Sequence, residues 1–154
     1  MNVSDCMRTE VFTVQTGATL VEAMRLMGTH MVGIVPVVDS QRHLAGVLVL
    51  DDLLMQFMPT FVQVLRTTDF VHDYSKFEPG QHASDLLRKP LSEIMRPPYF
   101  LDRDSGLMQA MVFMHNHRVT DVPVVDGDKV LVGIVSRVRV GNLFLVDWLN
   151  TQDD

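Results

Sequence analysis

The chain contains little of what marks an exported, membrane-spanning or nucleic-acid-binding protein. Its 154 residues include one cysteine, Cys6, so no disulfide can form within the chain, and no tripartite export signal opens the sequence. The strongest apolar run, residues 31–38, is broken by Gly33 and Pro36 and falls short of the roughly 18 residues that a membrane span needs. We therefore expect a soluble, cytoplasmic protein with no membrane partner.

Basic charge is also scarce. Lys and Arg number 13 against 19 Asp and Glu, which gives a net charge of −6 and an isoelectric point near 5.4. A surface that binds duplex nucleic acid would show clustered cations, so nucleic acid is not an expected partner. What the chain does have is 47% hydrophobic and 21% charged residues, which is enough apolar content for one compact domain with a core.

The sequence contains an internal repeat. Sliding it by 87 positions (133 − 46 = 87) places LVEAMRLMGTHMVGIVPVVD, residues 20–39, over LMQAMVFMHNHRVTDVPVVD, residues 107–126. Of the 35 pairs between residues 20–54 and 107–141, 13 are identical. This many matches at one offset indicates a duplicated structural unit.

Each copy predicts a helix first. In the first copy, apolar residues recur at spacings of three and four along 20–27, and Thr19 with Glu22 forms a candidate capping box. The second copy repeats the stripe along 107–114, with Ser105 near its start.

Two strands and a second helix follow in each copy. Continuous apolar runs at 35–38 and 122–125 are typical of strands that are buried on both faces. Polar turns then lead to further apolar runs at 44–50 and 130–135, and to predicted helices at 51–57 and 137–149.

A unit that opens VSDCM or LSEIM, continues through this helix to PVVD, and then reaches a glycine and a second helix resembles the cystathionine beta-synthase (CBS) domain. The resemblance implies an α+β fold with two βαββα repeats, packed pseudo-symmetrically, and a helical and aromatic insert between them. We expect repeat 1 at residues 1–58, the insert at 59–90 and repeat 2 at 91–154. It also implies a regulatory module, with no catalysis, that binds an adenosine nucleotide in the clefts between the repeats and signals to a separate client protein.

The family motif in those clefts is glycine, two residues, Ser or Thr, two residues, Asp. The hydroxyl donates to a phosphate at a helix start, and the carboxylate accepts from both ribose hydroxyls. The first copy has Gly46, Val49 in the hydroxyl position and Asp52 in the ribose position; the second has Gly133, Ser136 and Arg139. Each site therefore lacks one half, although a guanidinium at Arg139 can pair with phosphate.

Mapping the family's cleft onto this chain gives a set of candidate ligand contacts: Thr13, Pro36, Val47, Asp52, Val122, Pro123, Ile134, Ser136 and Arg139. The candidate ligands are AMP, ADP and ATP, with S-adenosylmethionine less favoured, and no cofactor is required.

A second interpretation needs no ligand. Asp52 lies in the first turn of a helix, where a carboxylate is favourable by itself, and Ser136 is a common helix cap. The chain would then be an interaction or dimerisation module with degenerate clefts. His115, His117 and Cys6 do not form a metal-ligand or nucleophile pattern, so the sequence predicts neither a metal site nor an enzyme.

The segment between the repeats is too long for a tight turn and too apolar for a flexible linker. It predicts a helix from Pro59 to Arg66 and a short helix at 84–88. Its aromatic residues, Phe57, Phe61, Phe70, Tyr74 and Phe77, are expected to be buried, either on their own subunit or against another one. The position of the insert between the repeats allows it to form a homodimer contact or to cap a cleft.

Overall fold

The computed structural model of the chain describes residues 1–58 and 83–152. The helix predicted from Pro59, and the aromatic residues predicted to be buried at Phe61, Phe70, Tyr74 and Phe77, lie outside these residues. Phe57 is within them and is buried in the core of the first repeat. The short helix predicted before the second repeat is present as Ala83–Leu86.

The two repeats have the same order of elements, which confirms the α+β prediction. The first contains β1 (Val14–Gln15), α1 (Leu20–His30), β2 (Ile34–Val38), β3 (Leu44–Val49) and α2 (Leu50–Phe57). After the short helix α3 (Ala83–Leu86), the second contains β4 (Leu101–Asp102), α4 (Leu107–His117), β5 (Asp121–Val125), β6 (Leu131–Ser136) and α5 (Arg137–Asn150). Among residues 1–58 and 83–152, no helix is long and apolar enough to cross a bilayer.

Each repeat builds one three-stranded sheet with the same register. In the first sheet β1 runs parallel to β2 and β2 runs antiparallel to β3, so that Pro36 lies opposite Val47. The second sheet repeats this arrangement and places Pro123 opposite Ile134. The duplication therefore extends from the sequence to the hydrogen-bonding pattern of the strands.

The start of α1 follows the prediction, whereas the start of α4 differs from it. Thr19 Oγ1 accepts from the backbone N–H of Glu22 at 3.2 Å, and Glu22 Oε2 accepts from the backbone N–H of Thr19 at 2.6 Å, which completes a capping box. The N-cap of α4 is Gly106 and not Ser105. Ser105 is buried, and its carbonyl accepts from the N–H of Val3 at 2.8 Å.

The segments that precede the repeats cross over to the opposite repeat. We call residues 2–8 the first lead-in segment and residues 91–96 the second lead-in segment. Val3 and Cys6 are buried in the core of the second repeat, whereas Leu91 and Ile94 are buried in the core of the first. Each core therefore contains residues from both halves of the chain.

A third cluster joins the two sheets. Ile34 and Val47 from the first sheet pack with Ile134 from the second, and Tyr99 lies against them. Burial raises the pKa of Tyr99 to about 12. The clefts described next open beside this cluster.

Candidate functional site: two clefts between the repeats

The glycine that opens each candidate motif makes room for a lead-in segment. A Cβ on Gly46 would overlap the side chain of Met95 and lie 2.9 Å from the carbonyl oxygen of Arg96. A Cβ on Gly133 would lie 2.8 Å from Met7 Sδ and 3.0 Å from the carbonyl oxygen of Arg8. Both glycines are therefore required by the close approach of the protein's own backbone.

The close approach allows a short antiparallel bridge at each glycine-led strand. Arg96 donates its N–H to the carbonyl of Val47 at 3.0 Å and accepts the Val47 N–H at 3.2 Å. Arg8 and Ile134 make the equivalent pair of bonds at 2.8 and 2.9 Å. Each lead-in segment thereby delivers an arginine to the candidate motif of the opposite repeat.

Cleft one is a cavity of about 100 Å³ beside the start of α2. Gly33, Ile34, Val49, Leu50, Asp51, Arg96, Tyr99, Arg118, Val119 and Thr120 line it. Residues of both repeats therefore line this cavity together with Arg96.

The guanidinium of Arg96 holds the candidate ribose carboxylate, Asp52. Arg96 Nε donates to Asp52 Oδ2 at 2.6 Å, and Nη2 donates to Oδ1 at 2.7 Å, so the contact is bidentate. Both side chains are 33% exposed. The hydrogen bonds from Arg96 hold the pKa of Asp52 below its usual value, which keeps the carboxylate ionised.

Cleft two is a cavity of similar volume, about 100 Å³, beside the start of α5. Arg8, Asp121, Ile134, Ser136 and Arg139 line it. Ser136 caps α5, because its Oγ accepts the backbone N–H of Arg139 at 3.3 Å. Arg139 Nη1 donates to the carbonyl of Cys6 at 2.9 Å, which ties this guanidinium to the first lead-in segment.

Asp121 brings a carboxylate into cleft two that the motif does not supply. Asp121 is the first residue of β5 and lies directly opposite Ser136, the last residue of β6. One of its oxygens, Oδ2, accepts from the hydroxyl of Thr120 at 2.8 Å. Cleft two is thus lined by a serine, two arginines and an aspartate, besides Ile134.

The duplicated fold agrees with the comparisons with known proteins. The CBS domain family model matches residues 3–58 and 91–140.

The chain belongs to the CBS domain family.

A relative in Bacillus subtilis (strain 168), the CBS domain-containing protein YhcV, is 34% identical over 136 residues, which cover 88% of this chain and 79% of YhcV.

Solved CBS structures share the fold at lower identity. The structure of CBSX2 in complex with AMP has a TM-score of 0.69 and 24% identity, and covers 94% of this chain and 96% of CBSX2. The CBS domain pair of protein MJ0100, in complex with 5′-methylthioadenosine and S-adenosyl-L-methionine, has a TM-score of 0.69 and 20% identity, and covers 96% of this chain and 98% of its own.

The structure places the predicted contact residues of this CBS pair in two groups. Ile134, Ser136 and Arg139 line cleft two together. The other predicted contacts lie elsewhere: Asp52 binds Arg96, Thr13 is half-buried just before β1, and Pro36, Val47, Val122 and Pro123 are buried in the strands. Base contacts by these strand residues stay a prediction.

Five charged residues that line the clefts were not assigned as ligand contacts by the sequence analysis: Arg8, Asp51, Arg96, Arg118 and Asp121. A signal for Arg8 and Arg96 was present, because VSDCMR and LSEIMR both end in Met-Arg, 88 positions apart (96 − 8 = 88). This offset is one residue longer than that of the main repeat, so a single alignment at 87 hides it. No sequence signal distinguishes Asp121, since its equivalent in the first repeat is Ile34.

A larger cavity, about 320 Å³, lies between α1 and α2 of the first CBS repeat. Methionine, leucine, phenylalanine, valine and glycine residues line it, and none of them is ionisable. Ligand sites usually combine apolar walls with a few convergent polar groups. The polar groups of this CBS pair converge in the smaller clefts, which are therefore the better candidates.

His117 and Cys6, which the sequence analysis considered, have surroundings that explain them structurally. His117 stacks on Phe113 and its Nδ1 lies 2.9 Å from the Phe113 carbonyl oxygen, while the equivalent His30 stacks on Phe12. Burial raises the pKa of the Cys6 thiol, so it is a poor nucleophile.

Proposed function

We propose that this CBS pair is a regulatory module that binds an adenosine nucleotide in cleft two. One observation carries the proposal: Ser136, Arg8, Arg139 and Asp121, which have hydroxyl, guanidinium and carboxylate groups, line the same cavity at the start of a helix. These groups match the phosphate and the ribose of a nucleotide.

In this proposal the phosphate end of the nucleotide lies at the start of α5. A serine hydroxyl has one donor and two acceptor lone pairs, so Ser136 can accept the capping N–H and still donate to a phosphate oxygen. Arg139 and Arg8 add charge-assisted donors on either side. Capping and ligand binding by Ser136 are therefore compatible, although the sequence analysis treated them as alternatives.

In this proposal the carboxylate of Asp121 accepts hydrogen bonds from the ribose hydroxyls. The family motif takes this carboxylate from a position that is Arg139 here, and loss of a charged hydrogen-bond acceptor costs about 1.5 to 3 kcal/mol. Asp121 lies opposite Ser136 across the β5–β6 ladder, so a carboxylate reaches the same cavity from the neighbouring strand. Asp121 thus supplies cleft two with a hydrogen-bond acceptor for the ribose, although it lies outside the motif.

The size and charge of cleft two favour ligands with several phosphate oxygens. Pockets that enclose a drug-sized ligand measure roughly 300 to 1,000 Å³, whereas this cavity of about 100 Å³ fits the phosphate end and leaves the adenine at the rim. Two arginines favour ADP and ATP over AMP. They disfavour S-adenosylmethionine, whose sulfonium carries the same sign of charge.

The regulatory part of the proposal is that occupancy of the cleft is signalled to a separate client protein. The cytosol is the proposed location, where adenosine nucleotides are available to the cleft. Binding there ties the first lead-in segment to the second repeat through Arg8 and Arg139, and this segment is the element through which occupancy is passed to a client.

Isothermal titration calorimetry of the full chain with ATP, ADP, AMP and S-adenosylmethionine tests the proposal. We expect ATP and ADP to bind more tightly than AMP, with affinity falling as salt rises. Arg139→Met and Asp121→Asn should each weaken binding at least tenfold, whereas Asp102→Asn, an exposed carboxylate outside the cleft, should not. No binding of any of the four at millimolar concentration would refute the proposal.

A second candidate function is an interaction or homodimerisation module without a ligand, and α5 favours it. Leu145, Val146, Trp148 and Leu149 are each more than half exposed, and Val140 is the buried residue of this 14-residue helix. Exposed apolar patches on soluble proteins commonly mark protein contacts. Light scattering after gel filtration of the chain and of Trp148→Glu tests this candidate: a dimer that becomes a monomer supports it, and a wild-type monomer contradicts it.

A further inference from the structure

The two lead-in arginines are equivalent residues with different surroundings. Arg8 and Arg96 each follow a methionine, bridge a glycine-led strand through two backbone hydrogen bonds, and reach the motif of the opposite repeat. In cleft one the motif position that Arg96 meets is Asp52. In cleft two the equivalent position is Arg139, and the second arginine has no motif carboxylate to bind.

The contact between Arg96 and Asp52 has the donor pattern of a ribose. A ribose presents two neighbouring hydroxyl donors to a carboxylate, and a guanidinium presents two neighbouring N–H donors in the same way. Both oxygens of Asp52 already accept from Arg96, at 2.6 and 2.7 Å. The Arg96 side chain also lines the cavity in which a ligand of cleft one would lie.

The position of Arg96 is fixed by more than this ion pair. Its backbone pairs with Val47 through two hydrogen bonds, and its carbonyl oxygen would lie 2.9 Å from a Cβ on Gly46, so the segment lies directly against the glycine-led strand. Arg96 and Tyr99 line cleft one together with residues of both repeats. The backbone that carries Arg96 is therefore packed in place, and its side chain meets Asp52 at a partly exposed position.

We infer that Arg96 is an internal competitor that takes the place of a ribose on Asp52, and so restricts adenosine ligands to cleft two. The inference deepens the proposed function, because it assigns one ligand site per chain and names the residue that closes the other. It also predicts opposite effects for two equivalent arginines: removal of Arg96 creates a site, and removal of Arg8 weakens one.

Adenosine is the probe that isolates this effect, because it offers ribose hydroxyls but no phosphate for Arg8 and Arg139. Calorimetric titration of the full chain with adenosine should show at least tenfold tighter binding by Arg96→Met than by the wild type. Adding Asp52→Asn to Arg96→Met should abolish the gain, since the freed carboxylate is lost. Arg8→Met is the matched control and should show no gain.

A folded Arg96→Met variant that binds adenosine no better than the wild type would overturn the inference, as would a gain that persists with Asp52→Asn. Arg96→Lys is the second variant in case Arg96→Met does not fold. Lysine keeps the charge but cannot make the bidentate contact, so a gain of a few fold is expected and its absence overturns the inference.

The two proposals fail separately. ATP and ADP binding by the wild type tests the nucleotide site in cleft two, whereas the adenosine gain in Arg96→Met tests cleft one. With ADP, the wild type should bind one molecule per chain and Arg96→Met should bind two. Two molecules bound per wild-type chain would contradict the role of Arg96 while leaving the proposed function intact.

Discussion

In cleft one the lead-in arginine meets a carboxylate, and in cleft two the equivalent arginine shares the cavity with another arginine. The backbone around the two clefts is otherwise alike: the strand register, the glycine and the antiparallel bridge all recur. In cleft one Arg96 is paired with Asp52, and the other two charged residues of the lining, Asp51 and Arg118, are of opposite sign. Cleft two keeps an excess of positive charge in a chain whose net charge is −6.

This difference shows which parts of a duplicated unit are constrained by packing. Gly46 and Gly133 are both required because a Cβ would meet a backbone carbonyl oxygen of the crossing segment. Asp52 and Arg139, by contrast, lie at partly or largely exposed positions, where a change of charge costs little core packing. The two clefts could therefore diverge in chemistry while the fold stayed the same.

The largest expected effect tests whether each lead-in segment packs in the core of the opposite repeat. Leu91→Ala should lower the free energy of unfolding by about 3 kcal/mol, because Leu91 is fully buried in the first core. Hydrogen exchange should accelerate in β2 and β3 more than in β5 and β6. Leu149→Ala, at an exposed position, is the control. Faster hydrogen exchange confined to the second sheet would contradict the packing of the second lead-in segment in the first core.

The next effect distinguishes the two glycines. Gly46→Ala should cost about 2 kcal/mol and Gly133→Ala about 1 kcal/mol, since the added Cβ is more crowded at Gly46. Urea unfolding of both variants measures the difference. Gly141→Ala in α5 is the control, because its added Cβ meets nothing within 4 Å and the change should be neutral or slightly stabilising. If Gly141→Ala lowered the free energy of unfolding as much as Gly46→Ala, crowding of the added Cβ would not be the cause of the loss.

A smaller effect is the pH dependence of the stability that the Asp52–Arg96 pair contributes in cleft one. Because Arg96 lowers the folded-state pKa of Asp52 from 3.8, the pair contributes stability at pH values above 3.8. That contribution, about 1 kcal/mol or less for a partly exposed pair, is lost as the pH falls through the folded-state value. Asp52→Asn should be less stable than the wild type at neutral pH, and the two should converge in acid. Parallel stability curves from thermal unfolding would contradict this.

The smallest effect concerns a pair that the second repeat alone contains. Asp102 and Lys129 form a 3.0 Å ion pair, and their side chains are 59% and 55% exposed; the equivalent residues of the first repeat are Gln15 and Arg42. Asp102→Asn should change the free energy of unfolding by under about 0.5 kcal/mol. A larger loss in chemical denaturation would show that the β4 edge depends on this pair.

Much of the fold could be predicted from local sequence. The helical stripe, the Thr19–Glu22 capping box and the PVVD strands each follow from spacing within a few residues, and the structure confirms them. The start of α4 was harder, because Ser105 is used to receive the first lead-in segment and Gly106 takes the cap position. A contact from a distant part of the chain decided this.

The candidate site could be predicted only in part for the same reason. Ser136 and Arg139 were found because they belong to one short motif, whereas Asp121 faces them from a neighbouring strand. Arg96 reaches Asp52 across 44 positions of sequence. Ion pairs between distant segments leave no periodic pattern in the residues that form them.

The sequence by itself determined the duplication, the two βαββα units and the loss of one motif residue from each cleft, because these depend on residue types at short, regular spacings. Only the tertiary structure decided which charges meet. Crossing of the lead-in segments joins Arg96 to Asp52 and brings Arg8 to Arg139, since each core is completed by the segment that precedes the other repeat.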